Sequence, residues 1–294
     1  MFGLFIFVIG SFCLGATPTR PSYHYYGADF VNEYQSGQLQ DSEISEKLHV
    51  ILISGHIQRD NAPDEIVRSC DKSKLHADST TTTQCRQHAS IGYERAKQKL
   101  FGVLFLNDHG GSYSLSEVYC EKNYTDADFG GKKTVFPGWK PANADLINTE
   151  HTWPQSRFTS RFPKDMQKSD LHHLFPTDTK MNSSRGAFRF GNVLKEIDPL
   201  KCPNARLGHP QESSEIVFEA PVVHRGNVAR AIFYFATRYQ MKVSPAEKAT
   251  LIQWNDADPV DEQELKRNDL IEKAQGNRNP FIDFPDLLSR IEGI

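Results

Sequence analysis

Hydrophobic positions from Asp41 onward recur at a helical interval. Ile44, Leu48, Ile51 and Leu52 fall on one face and acids occupy the first turn, which predicts a helix. Tyr93 to Phe101 has the same rhythm and is expected to stop at Gly102, while Tyr113 to Tyr119 is compatible with a strand. The strongest pattern is Arg225 to Tyr239, where Val228, Ile232, Phe235 and Tyr239 share a face with Ala231 and Ala236 alongside. Pro245 predicts the first turn of another helix, running to about Trp254. Between these elements the pattern weakens. Gly27 to Gln40 has little periodicity, 59–87 is polar and reads as surface loop, and Gln275 to Asp283 reads as turns rather than helix. Neither an internal repeat nor a linker-like composition divides the chain, so one domain of mixed α/β type is expected over 17–294.

The first residues add a separate element. Met1 to Ala16 is almost wholly apolar, too short to span a bilayer comfortably, and ends in small residues, so it is expected to be an export signal. Removing it takes Cys13 and leaves Cys70, Cys85, Cys120 and Cys202. An even remainder in an exported chain implies disulfides. Four cysteines allow three pairings, and the expected one joins Cys70 to Cys85 across a polar loop and Cys120 to Cys202. The absence of any CxxC pair leaves a zinc ribbon without ligands.

Composition narrows the class only a little. The 294 residues are 38% hydrophobic and 24% charged, which is ordinary for a globular protein and excludes a disordered one. The net charge of −3 counts against a strongly basic nucleic-acid-binding surface. The balance reverses locally, however. Between Glu150 and Phe190, seven basic residues (Arg157, Arg161, Lys164, Lys168, Lys180, Arg185, Arg189) face four acids (Glu150, Asp165, Asp170, Asp178). A basic zone of that size can bind phosphate within an acidic protein.

That zone also holds the residue types that phosphodiester hydrolysis requires. A water must lose its proton in line with the departing oxygen, and the growing negative charge must be neutralised. Neutral histidine suits the first task. A magnesium ion suits the second, because it takes oxygen ligands and keeps several waters, so one carboxylate and one amide oxygen suffice as protein ligands. Glu150-His151 places the two functions side by side, with Trp153-Pro154 to bend the chain. Asp178 or Thr179 is expected to cap a short helix that brings Asn182 back opposite Glu150.

Taken in order, Glu150-His151 with Trp153-Pro154, Asp170-Leu171-His172, Pro176, Asn182, Arg185-Gly186, Arg225-Gly226, Gln275-Gly276-Asn277 and Asn279-Pro280 resemble bacterial endonuclease I. This family comprises periplasmic and secreted non-specific nucleases of the ββα-metal (His-Me finger) superfamily. The resemblance covers 93–283 and is specific as an ordered set, although any one piece is weak. It implies an α+β fold with a ββα-metal core surrounded by helices. It also implies one Mg2+ per site (or Mn2+ or Ca2+ in its place) on Glu150 and Asn182, His151 as general base, and 5′-phosphate products. DNA, and RNA as well, would be cut without sequence preference, in the periplasm or outside the cell and with no organic cofactor or membrane partner. An arginine is expected on the scissile phosphate. Arg161 is favoured over Arg157, and Arg185 either binds phosphate or braces its helix.

Asp170 and His172 are expected to support the site from behind, with a histidine of the His172-His173 pair bonded to a backbone carbonyl in the core. Relatives that carry an acid before the Ser-Asp pair have Lys168 as their counterpart here, which removes one candidate for orienting His151. Arg225 and Arg230 are expected to reach the nucleic-acid backbone from the exposed side of their helix. Two other readings stay open: a catalytically inactive nucleic-acid-binding protein, and a metal-dependent phosphodiesterase acting on small substrates.

Overall fold

Burial of the Arg225–Tyr239 helix organises the molecule. Its apolar face is wide enough that nearly every residue from Val228 to Tyr239 is buried, the mark of a helix surrounded by neighbours. The Asp41–Ile53 helix packs along it through Ile44, Leu48, Ile51 and Leu52, and the Pro245–Ala257 helix packs through Leu251 and Trp254. In this computed structural model the described residues are 20–59, 61–70, 85–131, 134–142, 144–197, 199–202, 204–210 and 214–294. The expected signal segment and the Ser79 to Thr83 run lie outside them.

Helices and small sheets alternate, so the fold is α+β as expected. Glu65–Val67 and Cys85–Gln87 flank Gly55–Ile57 in one antiparallel sheet. Leu106–Asp108, Tyr113–Ser116 and Asn123–Tyr124 form a second, and Lys195–Glu196, Arg206–His209, Val217–Glu219 and Arg189–Phe190 a third. Among the described residues, the strands Ile147–His151 and Leu174–Asp178 pair only with each other. The Thr179–Arg185 helix follows immediately, completing a ββα unit. A second apolar cluster, including Leu100, Phe101, Ile147, Leu171 and Leu174, fills the space behind this hairpin. Among the described residues, no helix is long and apolar enough to cross a membrane.

Several sequence expectations hold to within a residue or two, and others need correction. The helix from Tyr93 does not stop at Gly102; Tyr93–Lys99 continues into a π-helical turn over Leu100–Leu104. Gly102 is there for clearance, since a Cβ would lie 2.5 Å from the backbone nitrogens of Gly138 and Trp139. The polar stretch 59–87 is not all loop, because its described parts supply two strands. Gly27 to Gln40 contains the Ala28–Gln35 helix, and Pro280–Asp283 is a helical turn started by Pro280 after the Asn279 cap. Cys70 is bonded to Cys85 and Cys120 to Cys202, as expected.

A buried polar network ties the central helix to the hairpin. Asp170, fully buried, accepts the hydroxyls of Tyr234 at 2.8 Å and Tyr239 at 2.9 Å on one oxygen. Its other oxygen accepts the His172 backbone N–H and the Gln275 amide. His172 donates to the Asn277 carbonyl, and Asn277 donates to the Tyr234 hydroxyl. The Gln275-Gly276-Asn277 turn therefore closes the network from the far end of the chain. At Gly276 the backbone is left-handed (φ 89°), and a Cβ would sit 2.7 Å from the Gln87 carbonyl oxygen. Gly276→Ala is expected to destabilise the protein by about 2–4 kcal/mol, from the positive φ and the overpacking together. Denaturant unfolding measures this, and unchanged stability would contradict the assignment.

Four buried histidines make the fold acid-sensitive. Burial lowers His172 and His224 to about 3, and His88 and His173 to about 4. Unfolded, each protonates near 6.5. Below that pH the unfolded chain therefore binds protons that the fold refuses. Stability is full above about pH 6.5 and is lost as pH falls through 4 towards 3, on the order of 1.4 kcal/mol per pH unit for each proton. Guanidinium midpoints are expected to drop steadily from pH 7 to pH 5. A flat profile over that range would contradict the buried neutral histidines.

Candidate active site

The ββα unit brings Glu150, His151 and Asn182 to one cleft of about 460 Å³, also bordered by Gln155, Arg185 and Gly186. Glu150 and His151 are successive residues at the end of a strand, where side chains normally alternate between faces. The chain leaves the ladder after His151 and turns at Trp153-Pro154, and both side chains border the cleft. Asp178 is the helix cap, accepting the N–H groups of Lys180 at 2.9 Å and Met181 at 3.1 Å. Asn182 lies on the first turn after this cap.

Each of the three is oriented from behind. The Glu150 carboxylate is buried, and both of its recorded partners meet Oε1: the Tyr119 hydroxyl at 2.9 Å and the Arg185 Nε at 3.3 Å. Oε2 is left for a ligand. Burial raises the Glu150 pKa, against the Arg185 charge and the Tyr119 hydrogen bond. Asn182 donates its amide nitrogen to Asn148 Oδ1 at 2.7 Å and to the Thr149 carbonyl at 3.1 Å. That fixes the sense of the amide, so Oδ1 is the atom free to face a ligand.

His151 donates from Nε2 to the main-chain carbonyl of Lys168 at 3.1 Å, which leaves the Nδ1 lone pair unprotonated. The Gln155 amide donates to that Nδ1 at 3.3 Å. Burial, with the nearby His173, Lys168 and Arg185 charges, lowers His151 to about 3. The imidazole is therefore neutral at neutral pH. The acid missing at position 168 is thus no loss for orienting the ring, because the backbone carbonyl does this.

The arginines are sorted by what they already hold. Arg185 is buried, paired with Glu150, and bonded to the carbonyls of His151, Thr152 and Gly186, so it braces the helix end against the hairpin. Arg157 is half-buried and donates to the carbonyl of Ala187, a residue of the cleft wall. Arg161, the favoured phosphate ligand from sequence, is a correction. It points away from the cleft onto the carbonyls of Tyr239 and Gln240, where the end of the central helix attracts a cation. Arg230 is also corrected. It is buried in a two-pronged ion pair with Glu264 and bonds Asn255 and the Asp258 carbonyl, so it is unavailable to nucleic acid. Arg225 is half-buried and engaged by Glu219 and the Ala220 carbonyl, which likewise removes it from an exposed face.

His172 and His173 bond the carbonyls of Asn277 and Gln167, matching the structural role expected for such a residue. Three contributors escaped the sequence reading. Tyr119 and Asn148 carry no motif of their own. Gln155 does sit in the Glu150-to-Ser156 run, and its proximity to His151 was the available signal. Among the described residues, no group of three or more His, Cys, Asp or Glu side chains forms a metal cage. The donor set left to a cation is one carboxylate oxygen and one amide oxygen. These are hard ligands that suit a magnesium-like ion retaining its waters and do not suit zinc.

The chain is similar to known nucleases. The chain is 36% identical over 166 residues to an extracellular ribonuclease of Bacillus subtilis (strain 168), covering 49% of this chain and 53% of that protein. It is 30% identical over 189 residues to an extracellular deoxyribonuclease of Aeromonas hydrophila, covering 56% and 79%. It is 32% identical over 120 residues to Endonuclease-1 of Buchnera aphidicola subsp. Baizongia pistaciae, covering 39% and 46%. The chain thus spans about half the length of the Bacillus relative. The sequence model of the Endonuclease I family matches residues 73–286, taking in the hairpin, the Asn182 helix and the Asp170 network, and the chain belongs to that family.

Proposed function

We propose that the protein is a metal-dependent endonuclease that hydrolyses phosphodiester bonds in DNA and RNA. The observation that carries this reading is the division of labour in the cleft. One histidine nitrogen is held as a free base, and two oxygens from separate elements are held free for a cation. The names of the relatives support both substrates, since one is called a ribonuclease and another a deoxyribonuclease. Contacts to the phosphate backbone, without base readout, fit a cleft of this chemistry.

In this mechanism the phosphodiester enters over Gln155, and a water takes the place of the Gln155 amide at His151 Nδ1. His151 removes its proton as the water attacks phosphorus, and the Lys168 carbonyl stabilises the imidazolium through Nε2. Arg157 exchanges the Ala187 carbonyl for a phosphate oxygen. A divalent cation on Glu150 and Asn182 would supply charge neutralisation for the phosphate and the departing 3′ oxygen. Arg185 and Tyr119 hold the Glu150 carboxylate in place and oppose the burial that raises its pKa. Cleavage on that side leaves 5′-phosphate ends. The two disulfides suit an oxidising compartment, and the relatives called extracellular point the same way, so export to the periplasm or beyond is part of the proposal.

Plasmid and RNA cleavage in buffers with and without Mg2+ tests the reading, and activity that survives exhaustive chelation would end it. His151→Ala is expected to lower kcat by roughly 100- to 10,000-fold while the protein stays folded, as loss of a general base does. Calorimetric titration with Mn2+ is expected to give a normal affinity for this variant and a weakened one for Glu150→Gln. Arg157→Ala is expected to cost roughly 100-fold in kcat/KM. Equal rates for the Arg157→Ala and wild-type proteins would return the phosphate role to another group.

A further inference from the structure

We propose that the groove beside the cleft binds an unpaired nucleotide flanking the scissile phosphate, so that the protein cuts single strands in preference to duplex. The inference rests on the nuclease reading above. It starts from Gln155, which borders both the catalytic cleft and a neighbouring groove of about 660 Å³. The groove is walled by two rings (Phe158, Phe162), two hydroxyl residues (Thr159, Ser160) and two cations (Arg161, Lys164).

No carboxylate lines it. Two other cavities differ in this respect. The cavity of about 420 Å³ near Phe105 is bordered by Glu117, Glu121, Asp261 and Glu264. The cavity of about 620 Å³ near Phe30 is bordered by Asp29, Glu33, Glu46, Asp64 and Glu65. Those two cavities carry cations as well (Lys266 and Arg267 in one, Lys47 in the other), but of the three only the groove beside the cleft combines cations with no carboxylate.

The rings are braced from behind. Phe158 is half-buried and stacks on Phe235 with centroids 5.6 Å apart, and Phe162 meets Tyr239 edge-on at 5.3 Å. Each retains part of its surface for the groove. Lys164 is exposed and makes no ion pair among the described residues. Arg161, misplaced for the scissile phosphate, is placed here instead. Rings with adjacent cations are the combination that holds single-stranded nucleic acid, where every base has a free face to stack. In a duplex the same base is paired and stacked on both sides, and must be extruded before it can enter. The groove and the catalytic base are built together, because the segment that forms its wall leads into the Lys164–Ser169 helix, whose Lys168 carbonyl holds His151.

The test measures kcat/KM on a 12-nucleotide single strand, the same sequence as duplex, and a two-nucleotide substrate. The wild-type protein is compared with Ser160→Asp and Lys164→Glu, both at exposed positions. The wild-type protein is expected to favour the single strand by about tenfold. Each variant is expected to lose about tenfold on it through KM, to lose less on the two-nucleotide substrate, and so to bring the single-to-duplex ratio towards one. A wild-type protein that cuts duplex equally well, or variants that leave the ratio unchanged, would overturn the groove assignment while leaving the nuclease reading intact. No cleavage of any of the three substrates by the wild-type protein would overturn both.

Discussion

A single hydrogen bond, from His151 Nε2 to the carbonyl of Lys168, sets the chemistry of the cleft. It decides which ring nitrogen carries the proton and therefore which one can take another. Everything around it keeps that geometry. Residue 168 sits near the end of a short helix whose Gln167 carbonyl receives His173, and whose Gln167 side chain bonds Thr159 and Phe162 in the preceding loop. The His151 ring is thus positioned by main chain, and the main chain is positioned by buried polar side chains.

Asp170 anchors that positioning. A buried carboxylate is costly unless its hydrogen bonds are satisfied, and here hydroxyl, amide and backbone donors from widely separated parts of the chain converge on it. Removing one donor leaves the rest of the network strained around a charge. This explains why the ordered motif pieces run from Glu150 to Pro280. Of the motif residues, Glu150, His151, Pro154, Asn182, Arg185 and Gly186 border the cleft, while Asp170, His172, Gln275 and Asn277 form its support.

Much of this was legible in the sequence wherever the signal was local. The Asp41–Ile53 and Arg225–Tyr239 helices follow from apolar spacing, a cap at Asp178 or Thr179 from residue type, and the presence of disulfides from an even cysteine count, which leaves three pairings open. What escaped depends on contacts distant in sequence. Gly102 reads as a helix stop, but its lack of a side chain matters because Gly138 passes against it. Arg230 sits at a helical position that looks exposed until the Glu262–Gln275 helix covers it and supplies Glu264. The Lys168 carbonyl cannot be read from a side chain at all, and Arg161 belongs to a helix end that the spacing alone does not bring near.

The acidic net charge of the chain and the proposed nucleic-acid substrate are reconciled by location. Basic residues outnumber acids seven to four between Glu150 and Phe190, and the groove beside the cleft is lined by Arg161 and Lys164 with no carboxylate. The central claim, that Glu150 Oε2 and Asn182 Oδ1 are held free for one cation beside the His151 lone pair, is tested most directly by anomalous diffraction from a crystal soaked in Mn2+. A single peak bonded to those two oxygens and otherwise to water would agree with the account. A peak held by other side chains, or none at saturating Mn2+, would contradict it.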